Sequence, residues 1–164
     1  METLSKPIVV SNSTYRYVYY FRLPIIISLI ERSNDVYIVA PRDDYIEKLE
    51  SYGCKAIPIK LNNKSVNPLN ELITIYMYYK IYKQIKPALI LHYTPKPNIY
   101  GSIAALILKI PCINNIAGLG TAFTGTGLLS VVVKRMYKFS QKAVEKVFFQ
   151  NKDDLKMFTE KKIV

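Results

Sequence analysis

Three polar segments and one basic stripe carry the residues of this chain that could do chemistry. Ser11-Asn12-Ser13-Thr14 offers hydroxyls and an amide but no glycine. A dinucleotide site needs G-x-G-x-x-G at such a turn, and a P-loop needs further glycine and a lysine, so both classes are disfavoured. An ordinary solvated turn remains the plain alternative. His92-Tyr93-Thr94-Pro95-Lys96-Pro97-Asn98 places Lys96 and Asn98 at a helix start, where free backbone N–H groups favour a phosphate or a sugar hydroxyl. His92 is the single histidine. It reads either as a substrate contact or as an interior side chain with its bonds satisfied. No second soft ligand is spaced to join it at a metal. Asn114-Asn115-Ile116-Ala117-Gly118-Leu119-Gly120-Thr121 contains two glycines that allow a sharp turn or the close approach of a ligand. Lys134, Lys138, Lys142 and Lys146 recur at steps of four with Arg135 among them, opposite Leu129, Val132, Val133 and Met136. Such a face is either simply solvated or a docking surface for anionic lipid head groups.

These segments can cooperate only if a common scaffold brings them together. Short apolar runs at 7–11, 35–40, 54–59, 88–92, 111–115 and 146–150 read as strands, each bounded by turn formers. Between them lie helical stretches. The first is expected at 21–32, with Pro24 in its opening turn. A second spans 43–52 and stops at Gly53. A third runs from the Asn67-Pro68 cap to about residue 86, with Leu69, Leu72, Ile73, Tyr76 and Met77 at helical spacing. The helix at 97–108 has almost no polar face and is expected to be buried. A basic helix at 128–144 and a short one at 152–158 complete the order. Strands alternating with helices imply an α/β, doubly wound, mainly parallel Rossmann-like sheet, with the strand order 3-2-1-4-5-6. Ligands of such sheets bind beyond the carboxyl ends of the strands, where the three polar segments fall.

Composition agrees with one folded unit. The chain has 164 residues, 50% of them hydrophobic and 21% charged. The formal charge is +11, and it is concentrated in the second half. Residues 1–82 hold ten Lys/Arg against eight Asp/Glu, and residues 83–164 hold thirteen against four. That asymmetry points to an anionic partner. No DNA- or RNA-recognition motif accompanies it, so nucleic acid is not expected. Apolar runs such as 23–27 are far below the ~20 residues that span a bilayer. Without a signal-peptide order at the start, a cytoplasmic location is expected.

Several of these runs, taken in order, resemble a known family. Phe21-Arg22-Leu23-Pro24, Tyr37-Ile38-Val39-Ala40-Pro41-Arg42-Asp43 and Gly53-Cys54 look like the N-terminal half of family 4 glycosyltransferases. So do Lys96-Pro97-Asn98-Ile99-Tyr100-Gly101, the segment 114–123, and Val147-Phe148-Phe149-Gln150-Asn151. The nearest subgroup is that of bacterial capsule and lipopolysaccharide sugar transferases.

The resemblance implies one lobe of a GT-B architecture spanning 1–164. This lobe would receive a lipid-linked or saccharide acceptor. A separate C-terminal lobe, absent from these residues, would bind the nucleotide-sugar donor, so the chain alone is expected to be inactive. No cofactor is implied. Ser11, Asn12, Ser13, Arg22, His92, Lys96, Asn98, Asn115, Gly118, Gly120 and Thr121 are the expected substrate-binding residues. Lys134, Arg135, Lys138 and Lys142 are expected to meet an anionic membrane surface, at the inner face of the cytoplasmic membrane. Two departures stand out: Ile116-Ala117-Gly118 occupies the place where some members carry a histidine, and Tyr20 the place of a common asparagine. A non-catalytic, membrane-associated binding module built on the same fold is the alternative.

Overall fold

Strand β1 (Ile8–Ser11) is buried at every position, as a strand must be when it has neighbours on both edges and helices on both faces. The computed structural model describes residues 6–61, 68–118 and 128–164. After β1 come α1 (Tyr15–Glu31), β2 (Val36–Ala40), α2 (Ile46–Glu50), β3 (Lys55–Pro58) and α3 (Pro68–Ile85). β4 (Leu89–Tyr93) leads into a π-helical turn (Pro97–Gly101) that continues as α4 (Ser102–Leu108). The chain then forms β5 (Cys112–Ile116), α5 (Leu128–Ser140), a 3₁₀ turn (Gln141–Ala143), β6 (Val144–Phe149) and α6 (Lys152–Glu160).

The strand order is β3-β2-β1-β4-β5-β6, and every pairing is parallel. It is the order expected from the sequence. β1 pairs Ile8 with Val36 on one side and with Leu89 on the other. The chain therefore winds outward from β1 to β3, returns across the sheet through α3, and winds outward again from β4. Loops leaving the carboxyl ends of β1 and β4 diverge, which opens a crevice between them.

Alternation along the strands sends side chains to two cores. Val10 packs with Tyr15, Val18, Ile26 and Leu49 beneath α1 and α2. Val9 packs with Tyr78, Tyr82, Ala104, Tyr137 and Phe158 beneath the other helices.

Two helices differ from expectation in an informative way. α1 begins at Tyr15, because Thr14 is extended and its Oγ1 accepts a hydrogen bond from the Tyr17 N–H at 3.0 Å. Pro24 consequently lies inside the helix, on its exposed side. In α3 the apolar residues Leu69, Leu72, Ile73 and Tyr76 do share a face, but that face points outward, with exposures of 56% to 70%. The inward face carries Glu71, Thr74, Tyr78 and Tyr82. Tyrosines are used there because the sheet beneath carries buried polar groups that need hydroxyl partners.

His92 is the centre of that polar interior. The ring is fully buried on β4. Its Nε2 lies 3.0 Å from the Tyr82 hydroxyl and its Nδ1 lies 3.0 Å from Asn114 Oδ1. Asn114 Nδ2 donates to the Asn98 carbonyl and to Gln141 Oε1, which leaves Oδ1 as the acceptor facing the ring. The neutral imidazole therefore carries its proton on Nδ1 and accepts from Tyr82 at Nε2. Ser102 Oγ donates to the same Asn114 oxygen at 3.1 Å. Burial holds the His92 pKa down at about 4, only partly countered by the Asn114 bond. Gly101 leaves the room for this ring. A Cβ there would collide with His92 Nε2 and lie 2.7 Å from its Cδ2.

Two outcomes follow. An imidazole that titrates near 6.5 in the unfolded chain and near 4 in the folded one binds its proton first in the unfolded state. Its contribution to stability is complete above pH 6.5, fades as the pH falls towards 4, and amounts to about 2 kcal/mol between pH 7 and pH 5. Urea denaturation at those two pH values checks this, and His92→Asn should flatten that part of the pH dependence. Gly101→Ala should destabilise the fold by about 2 kcal/mol despite alanine's better helix propensity, because the ring it meets is locked on both nitrogens. Thermal unfolding of the variant measures the difference.

Candidate functional site

At the crevice between β1 and β4 the structure has a cavity of about 360 Å³. Asn12 enters from the end of β1, Tyr93 and Thr94 from the end of β4, Ala117 from beyond β5, and Gln150 from beyond β6. Tyr17, Phe21 and Arg22 close it from successive turns of α1. Tyr17 and Phe21 form an edge-on aromatic pair with ring centres 6.0 Å apart.

Arg22 supplies the cavity's charge. Its guanidinium lies over the Tyr93 ring at 4.3 Å from the centroid, and one Nη donates to the Phe21 carbonyl. Its Nε is buried and has no hydrogen-bond partner, and no carboxylate pairs with it among the described residues. A buried donor without an acceptor is costly. Burial raises the Tyr93 pKa, the nearby Arg22 charge opposing the rise, so the phenol stays neutral.

The backbone is strained at the same place. Thr94 adopts φ +71°, a left-handed conformation that a β-branched residue avoids. Such conformations persist where the surrounding structure dictates them, and they gather at binding sites. Gly118, with φ +129°, sits beyond β5 where a side chain would be strained.

The expected substrate contacts are distributed unevenly around this cavity. Asn12 and Arg22 line it. Ser13 adjoins Asn12, whose Oδ1 accepts from the Ser13 N–H. Asn115 Oδ1 accepts from Gln150, one of the lining residues. Gly118 follows Ala117 at the edge. Ser11 lies instead in the interior, its hydroxyl bonded to Tyr78 at 3.1 Å. His92 is enclosed as described. Asn98 is 1% exposed and its Nδ2 donates to the Asn115 carbonyl, which ties the π-helical turn to β5. Burial thus makes these three side chains supports of the rim. Lys96 forms an ion pair with Glu71 at 2.7 Å, both ends largely buried, so its charge is already matched. Gly120 and Thr121 lie outside the described residues.

Tyr17, Phe21, Tyr93 and Thr94 were not singled out as contacts from the sequence. The available signal was Thr14, whose capping role starts α1 early and brings Tyr17 and Phe21 onto the rim. Among the described residues no group of three or more His, Cys, Asp or Glu is arranged to hold a metal ion.

The basic stripe is largely outward-facing. Arg135, Lys138 and Lys142 are exposed and Lys134 is half-buried. Val131, Val132 and Phe139 are also exposed on this helix, so Val132 does not belong to the inward side, whereas Met136 and Val133 pack on the core. Among the described residues no helix is long and apolar enough to cross a membrane.

A family model described as Glycosyl transferase 4-like matches residues 9–151. Over 142 residues the chain is 31% identical to the N,N'-diacetylbacillosaminyl-diphospho-undecaprenol alpha-1,3-N-acetylgalactosaminyltransferase of Campylobacter jejuni. That alignment covers 84% of this chain and 38% of the relative. A glycosyltransferase from Rickettsia africae superposes with TM-score 0.69 at 14% identity, over 98% of this chain and 41% of its own. The UDP-GlcNAc 2-epimerase of Methanocaldococcus jannaschii superposes with TM-score 0.59 at 14% identity, over 96% and 42%. These two likenesses concern the fold alone, which sugar transferases and epimerases share. The chain spans less than half the length of each of these proteins. With its motifs in order and a family model matched across most of its length, the chain belongs to the glycosyl transferase 4-like family.

Proposed function

We propose that this chain is the acceptor-side lobe of a two-lobed sugar transferase acting in surface polysaccharide synthesis. It holds a lipid-linked saccharide while a second lobe, supplied from outside these 164 residues, presents the nucleotide-sugar. The observation that carries the reading is Arg22, a cation over Tyr93 with an unpartnered buried Nε, facing a cavity at the crevice between β1 and β4. Guanidinium N–H groups donate to sugar hydroxyls, and Asn12, Thr94 and Gln150 supply further polar contacts around them. The exposed rings of Tyr17 and Phe21 offer apolar surface to a pyranose face. The Campylobacter jejuni relative, by its name, acts on a saccharide carried by diphospho-undecaprenol, which supports the lipid-linked class.

On this reading the lobe fixes the acceptor hydroxyl towards the donor, and its contribution to rate is orientation. Arg135, Lys138 and Lys142, together with the exposed Val131 and Phe139, hold the lobe at an anionic leaflet where the acceptor resides. A binding module without transfer would use the same cavity.

Arg22→Ala should raise KM for a lipid-linked acceptor by roughly 10- to 100-fold, the cost of a charge-assisted hydrogen bond, with KM for the nucleotide-sugar unchanged. The assay mixes the chain with its donor lobe, and an unchanged acceptor KM would refute the assignment. Reversing charge with Lys138→Glu and Lys142→Glu should weaken co-sedimentation with phosphatidylglycerol-containing vesicles by roughly tenfold or more. Equal binding of the unaltered chain to neutral and acidic vesicles would remove the membrane part of the reading.

A further inference from the structure

A second concavity, of about 680 Å³, lies between α3 and the carboxyl ends of β2 and β3 and shares no lining residue with the crevice cavity. Its walls are mainly hydrocarbon, supplied by Pro58, Ile59, Leu61, Ile73 and Met77. Among the described residues Glu71 is the one acid that lines it. Glu71 Oε1 accepts from Lys96 at 2.7 Å, while Oε2 is buried with no hydrogen-bond partner. Hydrocarbon alone in the groove would leave that oxygen stranded, whereas a hydroxyl would satisfy it. A bare anion would meet the carboxylate instead.

Cations stand at both ends of the apolar surface. Arg42 and Lys60 are exposed at the groove itself. From Ile73 the apolar surface continues outward over Leu72 and Tyr76 to Lys80 and Lys83, which are exposed and lie over the rings of Tyr76 and Tyr79. Ile73 and Lys83 are roughly 15 Å apart along the helix axis. None of these four cations is in an ion pair among the described residues, and α3 has no acid besides Glu71. Two separated pairs of charges match an elongated ligand with negative groups at intervals, not one with a single anionic head. Between the pairs the Tyr76 ring, 59% exposed, and the aliphatic walls offer apolar surface.

We infer that the groove and the outward side of α3 bind an acidic oligosaccharide, with carboxylates at the two cation pairs and a ring hydroxyl at Glu71. Such a chain combines the three properties the surface asks for: charge that recurs along its length, hydroxyl donors between the charges, and apolar pyranose faces. A bilayer surface is flat and does not enter the concavity. A polyanion without hydroxyls brings no donor to Glu71. The site is separate from Arg22, and its assignment does not rest on the acceptor-side reading of the crevice. It also gives a use to the large apolar side chains that α3 keeps outward.

The test uses the purified chain in titration calorimetry, with trigalacturonate, its fully methyl-esterified form and inorganic tripolyphosphate as separate probes. The ester keeps the hydroxyls and loses the charge, and tripolyphosphate keeps charge without a sugar. Trigalacturonate should bind roughly tenfold or more tightly than either, the worth of one charge-assisted hydrogen bond. Lys80→Glu with Lys83→Glu, and separately Arg42→Glu with Lys60→Glu, should each remove the preference for trigalacturonate over its ester. All four positions are exposed, and an unchanged thermal midpoint shows that the fold is intact. Tyr76→Ala should weaken trigalacturonate and its ester alike. No binding of trigalacturonate, equal affinity for tripolyphosphate, or a preference that survives both charge reversals would overturn the inference. Tighter binding of an oligouridylate would overturn it in favour of RNA. Arg22→Ala should leave trigalacturonate binding unchanged, and a loss there would move the ligand to the crevice and overturn this site. Binding is read here without any transfer reaction, so a failed transfer assay leaves this result standing, and a failure here leaves the Arg22 result standing.

Discussion

An imidazole with no access to water has to find both of its hydrogen bonds inside the protein. His92 finds them in Tyr82 of α3 and Asn114 of β5. Asn114 in turn reaches the carbonyl of Asn98 in the π-helical turn and shares Ser102 of α4. One neutral ring therefore sets the registration of four elements on one face of the sheet. A group left unpaired in that interior would cost more than its bond contributes, so the elements have little freedom to slide. Gly101, within the π-helical turn, is part of the same solution, since a side chain at residue 101 would occupy the ring's space.

That rigidity reaches the rim. β4 passes from His92 to Tyr93 and then to Thr94 in its left-handed conformation, so the strained residue sits directly beyond the locked one. Asn98 ties the turn to the Asn115 carbonyl, next to the bond between Asn115 and Gln150. The buried polar residues thus position a rim whose cavity-lining members are others: Asn12, Arg22, Tyr93, Thr94 and Gln150. Charge is sorted in the same way. Lys96 is paired with Glu71, whose second carboxylate oxygen has no partner, and Arg22 has an open donor and no carboxylate beside it among the described residues.

The fold alone would not have chosen an activity. A glycosyltransferase and an epimerase both superpose on this chain, so one fold serves different reactions and function depends on the site. This chain carries polar groups at the rim and exposed apolar and basic side chains on α1, α3 and α5.

Strand order, the parallel sheet and the family were legible in the chain itself. They depend on local signals: short apolar runs of strand length, Gly53 after α2, and the Pro97-Asn98 helix start. The polar segments were legible as segments, because a polar run at a strand's carboxyl end is visible in one dimension. Which of their members point outward was not. Ser11 and Asn12 are adjacent in the chain, yet one bonds to Tyr78 inside and the other lines the cavity, because consecutive residues at a strand's end face opposite ways. Lys96 could be seen as a cation but not as the partner of Glu71, which lies 25 residues earlier. The apolar spacing of α3 announced a helix without saying which side met the core. Periodicity states that a face exists. Only packing against the sheet, where Ser11 and His92 bond to Tyr78 and Tyr82, decided that the side with those two tyrosines turned in and the side with Leu69, Leu72 and Tyr76 turned out.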